Sequence, residues 1–192
     1  MSEDVLIVMR ALRFAADAHT DHRRKGERAE PYVNHLVEVA GLVAEATDGK
    51  DPNLIAAALL HDVIEDTDHV EADIEAAFGA DITALVVAVT DDVSLPKSER
   101  KELQIARAPH LSPRAKMLKI ADKTSNLRAI LASPPAGWDF YRRQAYYNWA
   151  SAVVGHCRGI SPSLEAAFDA AFEAGTRHRY GLADPIAIIL EP

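Results

Sequence analysis

The stretch LIAAALLHDVIED, residues 54–66, places seven apolar residues directly before a histidine and three acidic residues. A continuous apolar run of this kind predicts a helix buried in the core of the protein. Residues four apart share a face of a helix, so His61 is expected beside Glu65. By the same spacing, Asp62 is expected beside Asp66. The stretch therefore predicts a core helix whose charged end belongs to a functional site.

The same helical periodicity extends over most of the chain. Apolar residues recur at intervals of three and four, and no segment alternates apolar and polar residues long enough to predict a strand. Three helix starts place a capping side chain before a proline: Asp51-Pro52, Ser112-Pro113 and Ser161-Pro162. We predict an all-α fold with one domain, residues 1–180, and a C-terminal tail, residues 181–192. The apolar segment 183–190 is expected to pack on the domain or on a second subunit of a homo-oligomer.

The composition narrows the class of protein. A chain of 192 residues that is 48% hydrophobic suits one compact domain. Its net charge of −8 argues against nonspecific nucleic-acid binding, because an acidic chain repels phosphate unless basic residues gather locally. The single Cys157 excludes an internal disulfide framework and a multi-cysteine zinc site. Without a recognisable signal segment or an apolar run of about 20 residues, we expect a cytoplasmic protein that does not enter membranes.

The three carboxylates within residues 62–66 require compensation of their charge. At such short separations they repel each other and raise one another's pKa, an effect that a bound divalent cation removes. A solvated acidic helix end is the plain alternative, because His-Asp pairs arise often by chance. The cluster predicts a metal site only if ligands from elsewhere in the chain converge on it.

Two further residues supply such ligands. Asp122 lies in a mostly apolar stripe, where a buried carboxylate needs an ion pair, a capping role or a metal. His35 alone would be interpreted as a satisfied core histidine. Together, two nitrogens and two oxygens from three helices leave coordination positions open for water and substrate: His35, His61, Asp62 and Asp122. Without a thiolate, this set suits Mn²⁺ or a similar six-coordinate ion better than structural zinc.

Short motifs follow one another along the whole chain. They are RRKG (23–26), PYVNH (31–35), AALLHDVIEDT (57–67), FGADITALV (78–86), VTDD (89–92), LPKSERK (95–101), KIADKTSNLR (119–128) and GWDFYRRQAYYNWA (137–150). In this order they resemble the HD-domain phosphohydrolases, and within them the stand-alone relatives of the hydrolase half of the bacterial RelA/SpoT enzymes. Several spaced motifs in the right order are far more specific than a His-Asp pair.

The resemblance implies a single HD-domain helical bundle with a metal site between its helices. It implies hydrolysis of the 3′-pyrophosphate of ppGpp and pppGpp, giving GDP or GTP plus pyrophosphate, with Mn²⁺ as cofactor. The family's metal ligands map onto His35, His61, Asp62 and Asp122. Its catalytic acidic pair maps onto Glu65 and Asp66, where a carboxylate would orient a water molecule and accept its proton. The expected partner is therefore a small nucleotide.

A substrate with several negative charges needs local cations in an acidic protein. The resemblance sets Arg24 and Lys25 against the nucleobase and ribose, where a guanidinium can stack on a purine. It places four more residues around the substrate: Lys97, Asn126, Arg142 and Tyr146. Each position has a plain alternative: a solvated loop for the basic cluster, surface ion pairs for the other cations, and hydrogen bonds to buried backbone groups for the asparagine and tyrosine.

The chain also departs from the family pattern. Leu36 replaces a usual proline, and HTDH at 19–22 replaces a pattern of a small residue and glutamine. Thr124-Ser125 replaces an apolar residue followed by an aromatic residue or histidine, close to the expected nucleoside pocket. This last difference leaves the base and substrate preference open.

Two other functions stay open at this point. The first is a phosphatase acting on another nucleotide, for instance by removing the 2′-phosphate of NADPH. The second is a noncatalytic nucleotide-binding module that kept the fold. The presence of all six expected metal-binding and catalytic residues argues against the module, because a sensor has no need of the full set.

Overall fold

The computed structural model describes residues 2–179, with side chains up to residue 176. The helices within this range are α1 (Glu3–Ala18), α2 (Val33–Ala46), α3 (Pro52–Leu60), α4 (Val63–Asp66), α5 (Glu71–Phe78), α6 (Ala80–Val89), α7 (Lys97–Arg107), α8 (Pro113–Ala132), α9 (Phe140–Gly155) and α10 (Pro162–Arg179). The described range contains isolated β-bridges but no strand, so the all-α prediction is confirmed. The tail 181–192, with its apolar segment, lies outside the described residues, and its boundary stays a prediction.

Helix α3 lies at the centre of the bundle. Every residue from Leu54 to Leu60 is buried, and the helix packs against α1, α2 and α6. A helix that is apolar on all sides is stable only when other elements cover it completely. The long helix α8 packs against α2, α6 and α10 and also contacts α3. The C-terminal end of α3 is therefore held beside α2 and α8, which carry the other expected ligands.

The predicted caps explain how two of these helices begin. Asp51 accepts a hydrogen bond from the backbone N–H of Leu54 at 3.0 Å, and Ser112 accepts one from Ala115 at 3.2 Å. Arg114, in the first turn of α8, also donates to Asp51 at 2.8 Å and to Asp81 at 2.9 Å. These contacts tie the start of α8 to the starts of α3 and α6.

The expectation that His61 and Asp62 continue α3 is wrong. Helix α3 ends at Leu60, and the short helix α4 begins only at Val63. The His61 ring donates to the carbonyl of Ala58, with Nδ1 and O 2.8 Å apart, and so satisfies a carbonyl in the last turn of α3. The side chain thereby replaces part of the helical hydrogen bonding at the point where the metal-binding residues begin.

The single cysteine lies in the core. Cys157 is fully buried, and burial raises the pKa of its thiol. No helix in the described part of the chain is long and apolar enough to cross a membrane.

Candidate metal centre and nucleotide cleft

Three of the expected ligands form a compact buried group. His35 from α2, with His61 and Asp62 from the turn after α3, each offers one ligand atom within 4.8 Å of the others. Asp62 Oδ2 lies 3.5 Å from His35 Nε2 and 3.1 Å from His61 Nε2. The two histidines are 3% and 5% exposed. Their nitrogens and the carboxylate therefore face one small region inside the bundle.

Asp122 reaches the same region from α8. Its Oδ1 lies 3.5 Å from His35 Nε2 and 3.9 Å from His61 Nε2. Its Oδ2 accepts from Lys123 Nζ at 2.9 Å. The ion pair that the sequence left as an alternative is thus formed by one oxygen, while the other oxygen faces the histidines.

The tautomer of His61 follows from its hydrogen bond. The carbonyl of Ala58 can only accept, so Nδ1 of His61 carries a hydrogen and directs Nε2 toward the carboxylates. Nε2 lies 3.1 Å from Asp62 Oδ2, within ion-pair distance, but it is not aligned for a hydrogen bond to any described residue. Tyr32 donates its hydroxyl hydrogen to Asp62 Oδ2 at 2.7 Å and so orients that carboxylate. A buried nitrogen without a hydrogen-bond partner, directed at carboxylates, is the arrangement expected of a cation ligand.

The electrostatics of the group also favour a cation. Burial opposes ionisation of Asp62, but His61 and His35 hold the pKa of its carboxyl well below the usual range. Burial likewise opposes ionisation of Asp122, but Lys123 and His35 keep the pKa of that carboxyl low. Burial lowers the pKa of His61. The neighbouring carboxylates of Asp62 and Asp122 outweigh this effect, so the pKa of His61 is raised to about 9. Two ionised carboxylates and two imidazoles without a thiolate fit a divalent ion of intermediate hardness.

A cleft of about 840 Å³ adjoins this group. His35 and Asp66 line it together with five of the residues expected to bind substrate: Arg24, Lys25, Lys97, Asn126 and Tyr146. Arg142 does not line the cleft, but its guanidinium lies 4.7 Å from the ring centre of Trp138, which does. A cleft of this size suits a ligand as large as a nucleotide.

The two residues of the acidic pair lie in different environments. Asp66 lines the cleft, where partial burial and the nearby Asp62 raise the pKa of its carboxyl. Glu65 does not line the cleft; it accepts from the backbone N–H of Asp91 at 3.1 Å and from Arg100 Nη1 at 3.3 Å. Burial, followed by Asp62 and Asp91, raises the pKa of Glu65 to about 7. The mutual repulsion expected of the carboxylates is therefore present.

Lys123 belongs to the site and was missed by the sequence analysis. It is 4% exposed, pairs with Asp122, and its Nζ lies 4.4 Å from the ring centre of Trp149. Adjacent residues of a helix point about 100° apart, so spacing gave no sign that Lys123 turns back to the carboxylate beside it. Lys119, one turn earlier on α8, donates instead to the carbonyl of Val89 at 2.8 Å.

Thr124 and Ser125 lie behind the wall of the cleft, where Ser125 contacts the lining residues His35 and Glu38. Both side chains are fully buried, and neither lines the cleft. The Thr124 hydroxyl donates to the carbonyl of Ile120 in its own helix at 2.7 Å. Ser125 Oγ lies 2.8 Å from His35 Nδ1 and donates to Glu38 Oε2 at 2.7 Å. The hydroxyl of Ser125 therefore contacts an expected metal ligand.

The segment RRKGERAE, residues 23–30, is a loop that is fixed to the end of α8. The backbone N–H of Arg28 donates to Ser133 Oγ at 3.1 Å, and that of Glu27 donates to the carbonyl of Pro134 at 3.2 Å. Gly26 lies so close to this segment that a Cβ at its position would be 2.4 Å from the Ser133 carbonyl oxygen. The glycine permits the contact that holds Arg24 and Lys25 at the cleft.

This chain is similar to known proteins in both sequence and structure. The model of the HD domain family matches residues 11–150. The chain is 44% identical to guanosine-3′,5′-bis(diphosphate) 3′-pyrophosphohydrolase MESH1 of Xenopus tropicalis, over 90% of this chain and 96% of the relative. It is 45% identical to MESH1 of Drosophila melanogaster, over 85% of this chain and 92% of the relative. A solved structure described as a metazoan orthologue of SpoT that hydrolyses ppGpp matches with a TM-score of 0.84 and 42% identity, covering 95% of this chain and 98% of that one.

Proposed function

Because the chain belongs to the HD-domain family, we propose that it is a metal-dependent guanosine-3′,5′-bis(diphosphate) 3′-pyrophosphohydrolase that converts ppGpp and pppGpp to GDP and GTP. The observation that carries the proposal is the match to MESH1 proteins over most of the chain. The buried group of His35, His61 and Asp62 beside a cleft of nucleotide size supports it. The substrate is a small nucleotide rather than a nucleic acid.

The metal of the proposed enzyme is Mn²⁺. Four residues would hold it: His35, His61, Asp62 and Asp122. The mixed nitrogen and oxygen donors support a cation at this point, as does Nε2 of His61, which has no aligned hydrogen bond to the described residues. When bound, the ion supplies Lewis-acid chemistry, which withdraws charge from a phosphoryl group and lowers the pKa of a water molecule.

The acidic pair performs the proton transfer in the proposed reaction. Asp66, on the cleft wall, orients the attacking water and accepts its proton, and the adjacent carboxylate of Glu65 supports this transfer electrostatically. The water oxygen forms a bond to the phosphorus attached to the ribose O3′, and the bond from that phosphorus to O3′ breaks. Pyrophosphate leaves, and O3′ takes a proton to become the hydroxyl of GDP or GTP.

The cations of the cleft bind the phosphate groups and the nucleoside. Burial and the nearby Lys25 and Arg142 lower the pKa of Lys97, so this face carries like charges that an anion would relieve. Arg24 donates to Asn126 Oδ1 at 3.4 Å, which supports a planar guanidinium position against the nucleobase. Tyr146 completes the wall, with Lys101 Nζ 5.5 Å from its ring centre.

The proposed function is tested by identifying products from a panel of substrates. Purified protein is incubated with Mn²⁺ and either ppGpp or NADPH, with and without a chelator. We expect GDP and pyrophosphate from ppGpp, little phosphate from NADPH, and no turnover in chelator. Phosphate from NADPH with ppGpp unchanged would instead support the alternative phosphatase. Lack of turnover of either nucleotide would support the noncatalytic module.

Substitution of Gly26 by alanine tests the position of the basic loop. The added Cβ would lie 2.4 Å from a backbone oxygen, so the loop carrying Arg24 and Lys25 must move. Overpacking of this kind costs about 1–3 kcal/mol, and we expect the KM for ppGpp to rise about 10-fold with little change in kcat. Steady-state kinetics at saturating Mn²⁺ measure both constants.

Gly41→Ala is the matched control, because a Cβ at Gly41 in α2 meets nothing within 4 Å in the described part of the chain outside its own helix backbone. It should leave the KM for ppGpp at its wild-type value. An unchanged KM in Gly26→Ala would show that the position of the loop does not contribute to substrate binding.

A further inference from the structure

We propose that Ser125 is a positioning residue for the metal centre: its hydroxyl fixes the tautomer of His35, so that Nε2 presents a lone pair to the cation. The inference rests on the metal site of the proposed function. It assigns a role to a fully buried residue that does not line the cleft.

A chain of hydrogen bonds runs from the metal centre to the cleft wall. Ser125 Oγ lies 2.8 Å from His35 Nδ1 and donates to Glu38 Oε2 at 2.7 Å. Arg128 Nη1 donates to the other carboxylate oxygen of Glu38 at 3.1 Å. An ionised carboxylate opposite a guanidinium only accepts hydrogen bonds, so Glu38 has no hydrogen to give to Ser125.

The direction of the remaining hydrogen bond follows from counting hydrogens. A hydroxyl has one hydrogen, and that of Ser125 is directed at Glu38. The contact between Ser125 Oγ and His35 Nδ1 therefore needs a hydrogen on Nδ1. A neutral imidazole carries a single N–H, so Nε2 keeps its lone pair, 3.5 Å from an oxygen of Asp62 and of Asp122. Metal-binding histidines are usually oriented through the other ring nitrogen in this way.

His61 has the same tautomer, with its hydrogen on Nδ1, but a different hydrogen bond fixes it. His61 Nδ1 donates to the backbone carbonyl of Ala58, which no side-chain substitution removes. His35 depends instead on the hydroxyl of Ser125, which is fully buried and therefore not readily replaced by solvent. The two histidines thus form a matched pair within one site, and only His35 should respond to changes at Ser125.

The first test is the hydrogen on Nδ1 in the wild-type protein. NMR of the full chain with ¹⁵N-labelled histidine, free of metal and at about pH 10 where free imidazole is neutral, should find hydrogens on Nδ1 of both His35 and His61. In Ser125→Ala, the hydrogen on Nδ1 of His35 should lose its hydrogen-bonded shift and protection from exchange, while that of His61 is unchanged. A wild-type His35 with its hydrogen on Nε2 would overturn the proposal.

The second test is the affinity for Mn²⁺, measured by calorimetry. Loss of a partner that orients a metal-binding histidine typically weakens metal binding about 10-fold to 100-fold, and we expect a Kd change in this range for Ser125→Ala. Glu38→Gln provides an independent variant, since its amide can donate to Ser125 and let the hydroxyl give its hydrogen to His35. It should also weaken Mn²⁺ binding, so the proposal remains testable if Ser125→Ala does not fold.

Thr124→Val is the control, because the Thr124 hydroxyl donates within α8, to the carbonyl of Ile120, and is equally buried. Its Mn²⁺ affinity should stay at the wild-type value. Wild-type affinity in both Ser125→Ala and Glu38→Gln would overturn the proposal. Normal Mn²⁺ binding with no hydrolysis of ppGpp by the wild-type protein would contradict the proposed function and leave the role of Ser125 standing.

Discussion

His61→Ala is expected to lose bound Mn²⁺ and to hydrolyse ppGpp about 1000-fold more slowly than the wild type. The substitution removes a buried nitrogen that has no hydrogen-bond partner in the described part of the chain and faces two carboxylates. A metal ion contributes several kcal/mol to stabilising charge in a phosphoryl transition state, and about 4 kcal/mol corresponds to this factor. Metal content of the purified protein and kcat/KM for ppGpp are the two measurements.

The stability of His61→Ala should also stop responding to Mn²⁺. A ligand at 100 times its Kd stabilises the folded state by about 2.7 kcal/mol, which the wild type should show as a rise in melting temperature. The control is His110→Ala, at an exposed histidine that does not line the cleft. Wild-type metal content in His61→Ala would show that this residue is not a ligand.

The double variant Glu65→Gln with Asp66→Asn is expected to keep its metal and lose turnover. General acid and base catalysis contributes about 100-fold to 10,000-fold, so we expect kcat for ppGpp to fall within this range. The amide oxygen introduced by Glu65→Gln can still accept from the backbone N–H of Asp91, so the fold and the metal group should be retained. Stopped assays of GDP release, together with Mn²⁺ titration, separate catalysis from metal binding.

The control for the double variant is Asp68→Asn, at an exposed carboxylate just beyond α4 that does not line the cleft. Its kcat should equal that of the wild type. The single variants assign the two roles: Asp66→Asn should cause the larger loss because Asp66 lines the cleft. Full activity in the double variant would remove both residues from the mechanism.

The helices of this protein could be predicted from its sequence because local signals mark them. The apolar run at 54–60 and the capped prolines at Asp51-Pro52 and Ser112-Pro113 correspond to α3 and α8. The break after Leu60 could not be predicted in this way. It coincides with the ring of His61 bonding to the Ala58 carbonyl, a side-chain contact that apolar periodicity does not encode.

The site was predictable where residue type alone restricts the chemistry. A carboxylate in an apolar stripe is expensive without a partner, so Asp122 could be identified before its position was known, and His35 only together with Asp122 and the His61-Asp62 pair. Lys123 and Ser125 could not, because a lysine and a serine within a helix have many ordinary roles. Their contacts with Asp122 and His35 depend on side-chain direction and on packing between α2 and α8.

In the proposed enzyme, two imidazoles and two aspartates hold one divalent ion. The most direct measurement is anomalous diffraction at the manganese absorption edge from crystals grown with Mn²⁺. We predict one strong anomalous peak within coordination distance of four residues: His35, His61, Asp62 and Asp122. A peak elsewhere with this group empty, in crystals of active enzyme, would contradict the account.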